Sequence, residues 1–144
     1  GKKIVLCGIE IPFDKSLAGH SDADVALHSL TDAILGALAL GDIGLHFPDT
    51  DTKWKEADSI IFLSWSLERA KQMNFKLANI DLTIICEKPK INSYRKQLIF
   101  NLSKICALED NKINVKATTT ERLGFTGREE GIASMCSVLL HEFI

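Results

Sequence analysis

Most features that mark unusual chains are scarce here. With 3 prolines and 9 glycines in 144 residues, no internal repeat and no low-complexity tract, collagen-like and disordered classes are excluded. Neither sign of charge dominates. Lys and Arg total 17 against 19 Asp and Glu, a formal net charge of -2, so no global positive field exists to hold nucleic acid or an anionic membrane. A local phosphate site remains allowed. The 4 cysteines, Cys7, Cys86, Cys106 and Cys136, form no C-x-x-C pair and each lies in an apolar run. That excludes a disulfide scaffold and reads as buried thiols in a reducing compartment. Charge breaks every apolar stretch well short of the ~20 residues of a membrane helix, and the N-terminus lacks the apolar core of a secretory signal. A cytoplasmic protein is expected. The chain opens at Gly1 without methionine and runs almost at once into Ile4-Val5-Leu6, which predicts that something upstream is missing.

What is present reads as one domain over residues 1–144, large enough to bury roughly two thirds of its unfolded surface. Residues 3–11 form two short extended pieces around Gly8, followed by a turn after Pro12. Leu27, Leu30, Ile34 and Leu38 recur at helical spacing, with Ser21 or Asp22 as N-cap and an end near Gly41. Residues 41–52 carry loop chemistry. A second helix starts at Asp58 or Ser59, with Ile60, Leu63, Leu67 and Ala70 on one side, and stops near Asn74. Ala78, Ile80, Leu82 and Ile84 alternate as in a strand with one buried face. A third helix spans about 92–107 on Leu98, Leu102 and Ile105. Residues 113–117 read as a strand, 118–131 as a polar loop and 132–140 as a final strand. Three helices long enough to cover one face of a small mixed sheet predict an α+β fold, an α/β sandwich.

Four segments carry chemistry. His20 and Ser21 sit at a helix entrance, where free N–H groups suit an anion; a plain loop residue and a cap explain them equally. His28 follows Asp24 by four positions and precedes Asp32 by four, so carboxylates on its helix face can orient it as a metal ligand; a satisfied core histidine is the other reading. The loop from Gly41 to Asp51 concentrates acids that can bind sugar-like hydroxyls, or simply make turns. Thr118, Thr119 and Thr120 follow a strand and precede Gly124 to Arg128. Hydroxyls and N–H groups there can hold a diphosphate, with Glu121 holding a hard cation, or form a plain glycine turn. Lys88 and Lys90 bracket Pro89 in a turn that can face a base, a phosphate or only solvent.

The order of these motifs is more specific than any one of them. His20-Ser-Asp-Ala-Asp-Val-Ala-Leu-His28, Asp32-Ala33, Gly41-Asp-Ile-Gly44, Phe47-Pro-Asp-Thr-Asp51, Lys116-Ala-Thr-Thr-Thr-Glu121 and Leu123-Gly-Phe-Thr-Gly-Arg128 together resemble 2-C-methyl-D-erythritol 2,4-cyclodiphosphate synthase. The resemblance runs from about Val5 to the C-terminus. It implies an enzyme of non-mevalonate isoprenoid biosynthesis, a phosphorus-oxygen lyase that converts 4-diphosphocytidyl-2-C-methyl-D-erythritol 2-phosphate to the 2,4-cyclic diphosphate and CMP. It further implies a homotrimer, with sheets facing a central axis and active sites between subunits.

By that resemblance His28 matches a ligand of Zn2+ or another divalent metal, and Glu121 holds Mg2+ or Mn2+ on the diphosphate. His20, Ser21 and Thr119 contact phosphate, with His20 and Thr119 steadying the transition state, and Thr120 also binds substrate. Asp42, Ile43, Gly44, Phe47, Pro48, Asp49, Thr50 and Asp51 line the methylerythritol side. Cys86, Glu87, Lys88, Pro89, Lys90, Ile91, Asn92 and Thr118 frame the cytidine. Phe125 and Arg128 match positions near the trimer axis, where relatives can carry an isoprenoid-like ligand. One departure stands out: the family's zinc site also uses an Asp-x-His pair on a first strand, and no such pair occurs near Gly1. Catalytic zinc normally takes three protein ligands, so a lost first strand is the expected explanation. Fusion to a cytidylyltransferase is a known arrangement among relatives. A non-catalytic trimer that senses CDP-like or isoprenoid diphosphates, and a metal-dependent phosphohydrolase, are the competing readings.

Overall fold

The computed structural model describes residues 2–14, 23–48, 50–51, 53 and 58–143. His20, Ser21 and Asp49 lie outside the described residues. The chain starts with an antiparallel hairpin, β1 (Lys3–Leu6) and β2 (Ile9–Pro12), in register Leu6 with Ile9 around a two-residue turn. Both turn residues are left-handed, Cys7 at φ 54° and Gly8 at φ 77°. That is the handedness a tight hairpin requires, and Cys7 is an unusual residue to supply it. It is held there from two sides. Asp24 Oδ1 and Oδ2 accept the N–H groups of Cys7 at 3.0 Å and Gly8 at 2.7 Å, and Asn101 Nδ2 donates to the Cys7 carbonyl at 2.6 Å.

Helix α1 (Val25–Ala37) buries Ala26, Leu27, Leu30, Ile34 and Leu35 along one stripe. Its N-cap is Asp24, which accepts from Leu27 N at 3.0 Å, rather than Ser21 or Asp22. The helix ends at Ala37, short of Gly41, because Ala39 turns left-handed at φ 58°. The expected loop beyond it contains a single helical turn, α2 (Ile43–His46), capped by Asp42. Helix α3 (Ser59–Gln72) buries Ser59, Phe62, Leu63, Ser66 and Ala70; Ile60 is turned outward, against the expectation that it shares that face.

Strand β3 (Phe75–Ile85) is the centre of a three-stranded mixed sheet. A 3-10 turn at Ile91–Ser93 leads into α4 (Arg95–Cys106), which closes with Ala107 left-handed at φ 51°. Strand β4 (Ile113–Thr118) pairs parallel to β3, and after one helical turn, α5 (Gly124–Gly127), strand β5 (Ala133–Glu142) pairs antiparallel on the other side. The order is therefore β4-β3-β5.

Period-two alternation divides the sheet's faces. Ile80, Leu82 and Ile84 of β3 with Ile113 and Val115 of β4 point under α1, α3 and α4 and form one core with Leu27, Leu30, Ile34, Leu63, Leu98 and Leu102. Helix α1 lies on β5 and α4 on β4. Among the described residues nothing covers the opposite face: Met135 is 67% and Leu139 60% exposed, beside a polar strip in which Asp81 accepts from Asn114 and Lys116. Among the described residues no helix is long and apolar enough to cross a membrane.

Candidate functional site

The structure gathers the described members of the expected set into two clusters. The first lies between α1 and α3. His28 Nε2 is 2.9 Å from Ser59 Oγ, and the imidazole leans on Phe62 at 6.1 Å between ring centroids. Asp24 caps α1 and clamps the hairpin turn, while Asp32 Oδ1 accepts the N–H of Ile43 at 2.8 Å. That bond ties the loop to α1.

The loop itself is locked by packing. Asp42 Oδ1 accepts from Leu45 N at 2.9 Å, and Phe47 is buried with its ring 4.8 Å from Phe62 and 5.1 Å from Trp65. His46 reaches the Leu40 carbonyl at 2.6 Å and stacks on Trp65 at 4.7 Å. Phe47 thus anchors the loop from within, and Asp42, Gly44, Pro48, Thr50 and Asp51 are the exposed members. Ile43 is half-buried.

The second cluster stands where β3 and β4 end. Cys86 N donates to the Thr118 carbonyl at 3.1 Å, which extends the strand pairing and brings the 86–92 turn against the threonine loop. Glu87 Oε2 accepts from Thr120 N at 3.3 Å. Thr120 is less available to a ligand than its neighbours: its hydroxyl donates to the Leu123 carbonyl at 2.6 Å and meets the buried Thr126 hydroxyl at 2.9 Å. Thr119 Oγ1 accepts from Glu121 N at 3.3 Å, and Thr118 and Thr119 are exposed. Glu121 and Arg122 are consecutive left-handed residues at φ 54° and 67°, a strained pair that turns the Glu121 carboxylate outward into solvent. Gly127 makes the turn fit, because a Cβ on it would sit 2.2 Å from the Arg122 carbonyl carbon.

Around that loop Lys88, Lys90 and Asn92 are exposed and Pro89 is half-buried, whereas Ile91 belongs to the core. The Cys86 thiol is buried, donates weakly to the Pro89 carbonyl at 3.7 Å and is pushed up to about 11 by desolvation and the adjacent Glu87. It is a packed thiol, not a nucleophile. Phe125 is 53% exposed, and Arg128 Nε donates to Glu130 at 2.9 Å beside it.

Among the described residues no three His, Cys, Asp or Glu side chains stand close enough to hold a metal ion. The donor chemistry at His28 nevertheless fits one ligand of a larger set, because an imidazole with one nitrogen engaged by an oxygen is how proteins orient a metal-binding histidine. Ser59 is the residue that sequence reasoning missed. It reads as no more than a helix start, and its partner stands 31 positions upstream.

A layered α+β domain thus carries an imidazole held by Ser59 between two helices and a hydroxyl-rich turn at the ends of two strands. The chain belongs to the YgbB family, whose model matches residues 1–141. It is 51% identical to the 2-C-methyl-D-erythritol 2,4-cyclodiphosphate synthase of a Geobacillus strain, covering 99% of this chain and 90% of that one. It is also 54% identical to the bifunctional enzyme IspD/IspF of Paracoccus denitrificans over 97% of this chain. The chain spans only 37% of that bifunctional relative. The bifunctional IspDF of Campylobacter jejuni superposes with a TM-score of 0.94 at 44% identity, covering 99% of this chain and 38% of that one. A 2C-methyl-D-erythritol-2,4-cyclodiphosphate synthase in a CDP-bound form superposes with a TM-score of 0.89 at 36% identity, over 98% of this chain and 91% of its own.

Proposed function

We propose that this domain closes the ring of 4-diphosphocytidyl-2-C-methyl-D-erythritol 2-phosphate, giving 2-C-methyl-D-erythritol 2,4-cyclodiphosphate and CMP in non-mevalonate isoprenoid biosynthesis, as a phosphorus-oxygen lyase. The observation that supports the reading is the grouping of the described residues into one cluster around His28 and the Asp42 loop and another at Thr118 to Glu121. The family relationship and the CDP-bound relative support it.

In this reading the substrate's 2-phosphate oxygen forms a bond to the β-phosphorus while the bond from that phosphorus to the CMP oxygen breaks. The nucleophile is already anionic at neutral pH, so no general base is demanded of the chain. Its residues must bend and hold the substrate. Asp42, Gly44 and the exposed residues up to Asp51, with Asp49, grip the methylerythritol hydroxyls on a loop that Asp32 and Phe47 keep still. The turn from Cys86 to Asn92 and Thr118 frames the cytidine. His20, Ser21, Thr119 and the backbone of Thr120 receive the phosphates, with His20 and Thr119 steadying the charge that builds in the transition state. His28 would hold zinc and Glu121 magnesium or manganese, which when bound withdraw electron density from the phosphoryl groups and relieve repulsion between anions.

On this proposal the two clusters complete one another between neighbouring copies of the chain. The exposed Met135 and Leu139 on the uncovered sheet face support a homotrimer packed through that face, with Phe125 and Arg128 near its axis and able to meet an isoprenoid-like ligand. On this proposal His28 is one ligand of a set whose other members lie outside the described residues. A cytoplasmic location is part of the same proposal, with no nucleic-acid or membrane partner.

The decisive assay uses the full gene product with zinc and magnesium, following phosphorus NMR signals. Cyclic diphosphate and CMP are expected, and His28→Ala abolishes both. Turnover unchanged in that variant overturns the assignment; linear products indicate a phosphohydrolase, and CDP binding without turnover indicates a sensor.

A further inference from the structure

Three threonines in a row open the turn that follows β4, and their hydroxyls do three different things. Thr118 Oγ1 donates to the Thr119 carbonyl at 3.4 Å, and Thr119 Oγ1 accepts the N–H of Glu121 at 3.3 Å. A hydroxyl has one proton and two lone pairs, so Thr119 keeps its proton to give to an anion. Thr120 gives its proton inside the protein, to the Leu123 carbonyl at 2.6 Å. Its oxygen also lies 2.9 Å from Thr126 Oγ1, a distance at which either hydroxyl could donate. The carbonyl settles the direction. A carbonyl only accepts, so the Thr120 proton is committed and Thr126 is the donor. We propose that Thr126 is a positioning residue for this turn, its buried hydroxyl donating to Thr120 so that the Thr120 side chain is a strut to the Leu123 carbonyl, not a phosphate ligand, and Thr119 and Glu121 are held facing the substrate.

The segment between the ends of the strut needs such support. Glu121 and Arg122 are both left-handed, at φ 54° and 67°, a conformation that side-chain-bearing residues keep only when their surroundings hold them in it. The Thr120 carbonyl accepts the N–H of Leu123 at 3.0 Å, so backbone and side chain of Thr120 both grip Leu123 and close a ring around that pair. The Leu123 carbonyl also accepts from Gly127 N at 3.2 Å, which joins the grip to α5. Thr126 is 4% exposed and Thr120 half-buried, whereas Thr118, Thr119 and Glu121 are exposed. The inner hydroxyls are thus sheltered and the outer ones open, the arrangement expected when one layer holds and the other binds. A valine at position 126 would fill nearly the same space with no proton to give, leaving Thr120 without this donor and its side chain free to turn away from Leu123.

The inference rests on the reading of Thr118 to Glu121 as the phosphate-binding turn, and the experiment separates the two. CDP and cytidine are titrated by NMR into the full gene product with magnesium. Thr126→Val should weaken CDP binding roughly tenfold, about the worth of one well-aimed hydrogen bond, with cytidine binding unchanged and CDP binding recovered in Thr126→Ser. A strut and its support act as one unit, so Thr120→Val should lose as much CDP affinity, and the double variant no more than either alone. An unchanged ratio of CDP to cytidine affinity in Thr126→Val overturns the proposal. So does a double variant whose losses add, because Thr120 then touches phosphate directly. Hydrogen exchange in the ligand-free protein gives a second readout, which also serves if Thr126→Val does not fold: the amides of Glu121 to Leu123 should quicken in Thr120→Val and keep their wild-type rates in Thr120→Ser. Unaltered exchange in Thr120→Val overturns the proposal as well. If the wild type binds CDP no better than cytidine, the phosphate-binding reading fails, while the exchange rates still decide whether Thr120 is a strut.

Discussion

The two halves of the candidate site are held by opposite means. Around His28 the work is done by buried side chains: Asp24, Ser59, Phe62 and Phe47 are all at or below 8% exposure and touch partners far away in the chain. Around Thr119 and Glu121 it is done by backbone shape, with left-handed residues at 121, 122, 124 and 129 and a glycine tucked under Arg122. The first half is therefore vulnerable to the loss of atoms, and the second to their addition. A helix-borne imidazole can be aimed by packing, whereas a diphosphate needs N–H groups and short hydroxyls presented by a loop that has nowhere else to go.

Deleting the Asp24 carboxylate should break the helical half most severely. It accepts three backbone N–H groups, those of Cys7, Gly8 and Leu27. An N-cap is worth about 1 kcal/mol and a buried donor left unpaired costs about 1 to 3 kcal/mol, so Asp24→Ala should lose roughly 3 kcal/mol in urea unfolding. The hairpin should loosen with it, since Cys7 would lose half of the clamp that holds it left-handed. A loss below about 1 kcal/mol would mean that water or a neighbour replaces the carboxylate.

The converse experiment adds one methyl group to the loop half. Gly127→Ala would place Cβ 2.2 Å from the Arg122 carbonyl carbon and 2.8 Å from its oxygen. Overpacking of this kind costs about 2 kcal/mol, here confined to the turn. Hydrogen exchange should quicken at Thr120 to Leu123 while the amides of α1 keep their protection. If α1 loosens equally, the two halves are one cooperative unit and the contrast between them is wrong.

The same contrast explains which features were legible in the sequence. Leu27, Leu30 and Ile34 announce α1 because an isolated helix face is a local pattern, and Ile80, Leu82 and Ile84 announce β3 for the same reason. The motif order identified the family. What local pattern could not show is any feature fixed by a distant partner. Asp24 outranks Ser21 and Asp22 as N-cap because a hairpin turn 16 and 17 positions away needs its oxygens. Ser59 looks like an ordinary helix start until α1 docks against α3 and His28 meets it. The turn α2 forms inside a loop-like composition because Asp32 supplies an acceptor and Phe47 an anchor. Ile60 satisfies helical spacing with Leu63 yet is 40% exposed, since Ser59 and Phe62 occupy the angle that faces α1.

The smallest expected effect lies on the uncovered sheet face between the two halves. Asp81 of β3 accepts from Lys116 Nζ at 3.0 Å and Asn114 Nδ2 at 3.1 Å, both on β4, and these partners hold its carboxyl below the ordinary 3.8. Between that value and the lowered one the folded chain binds fewer protons than the unfolded chain, so this contribution grows with pH there and is complete above it. It is lost as pH falls through the lowered value. The pair is exposed, so Asp81→Asn should cost only about 0.5 kcal/mol in a separated subunit at pH 7, and the gap should close in acid. A gap that widens in acid would show that the ion pair is not its source. A cost of several kcal/mol at pH 7 in the assembled protein would instead mean that neighbouring copies bury this strip, which is where the proposed trimer must pack.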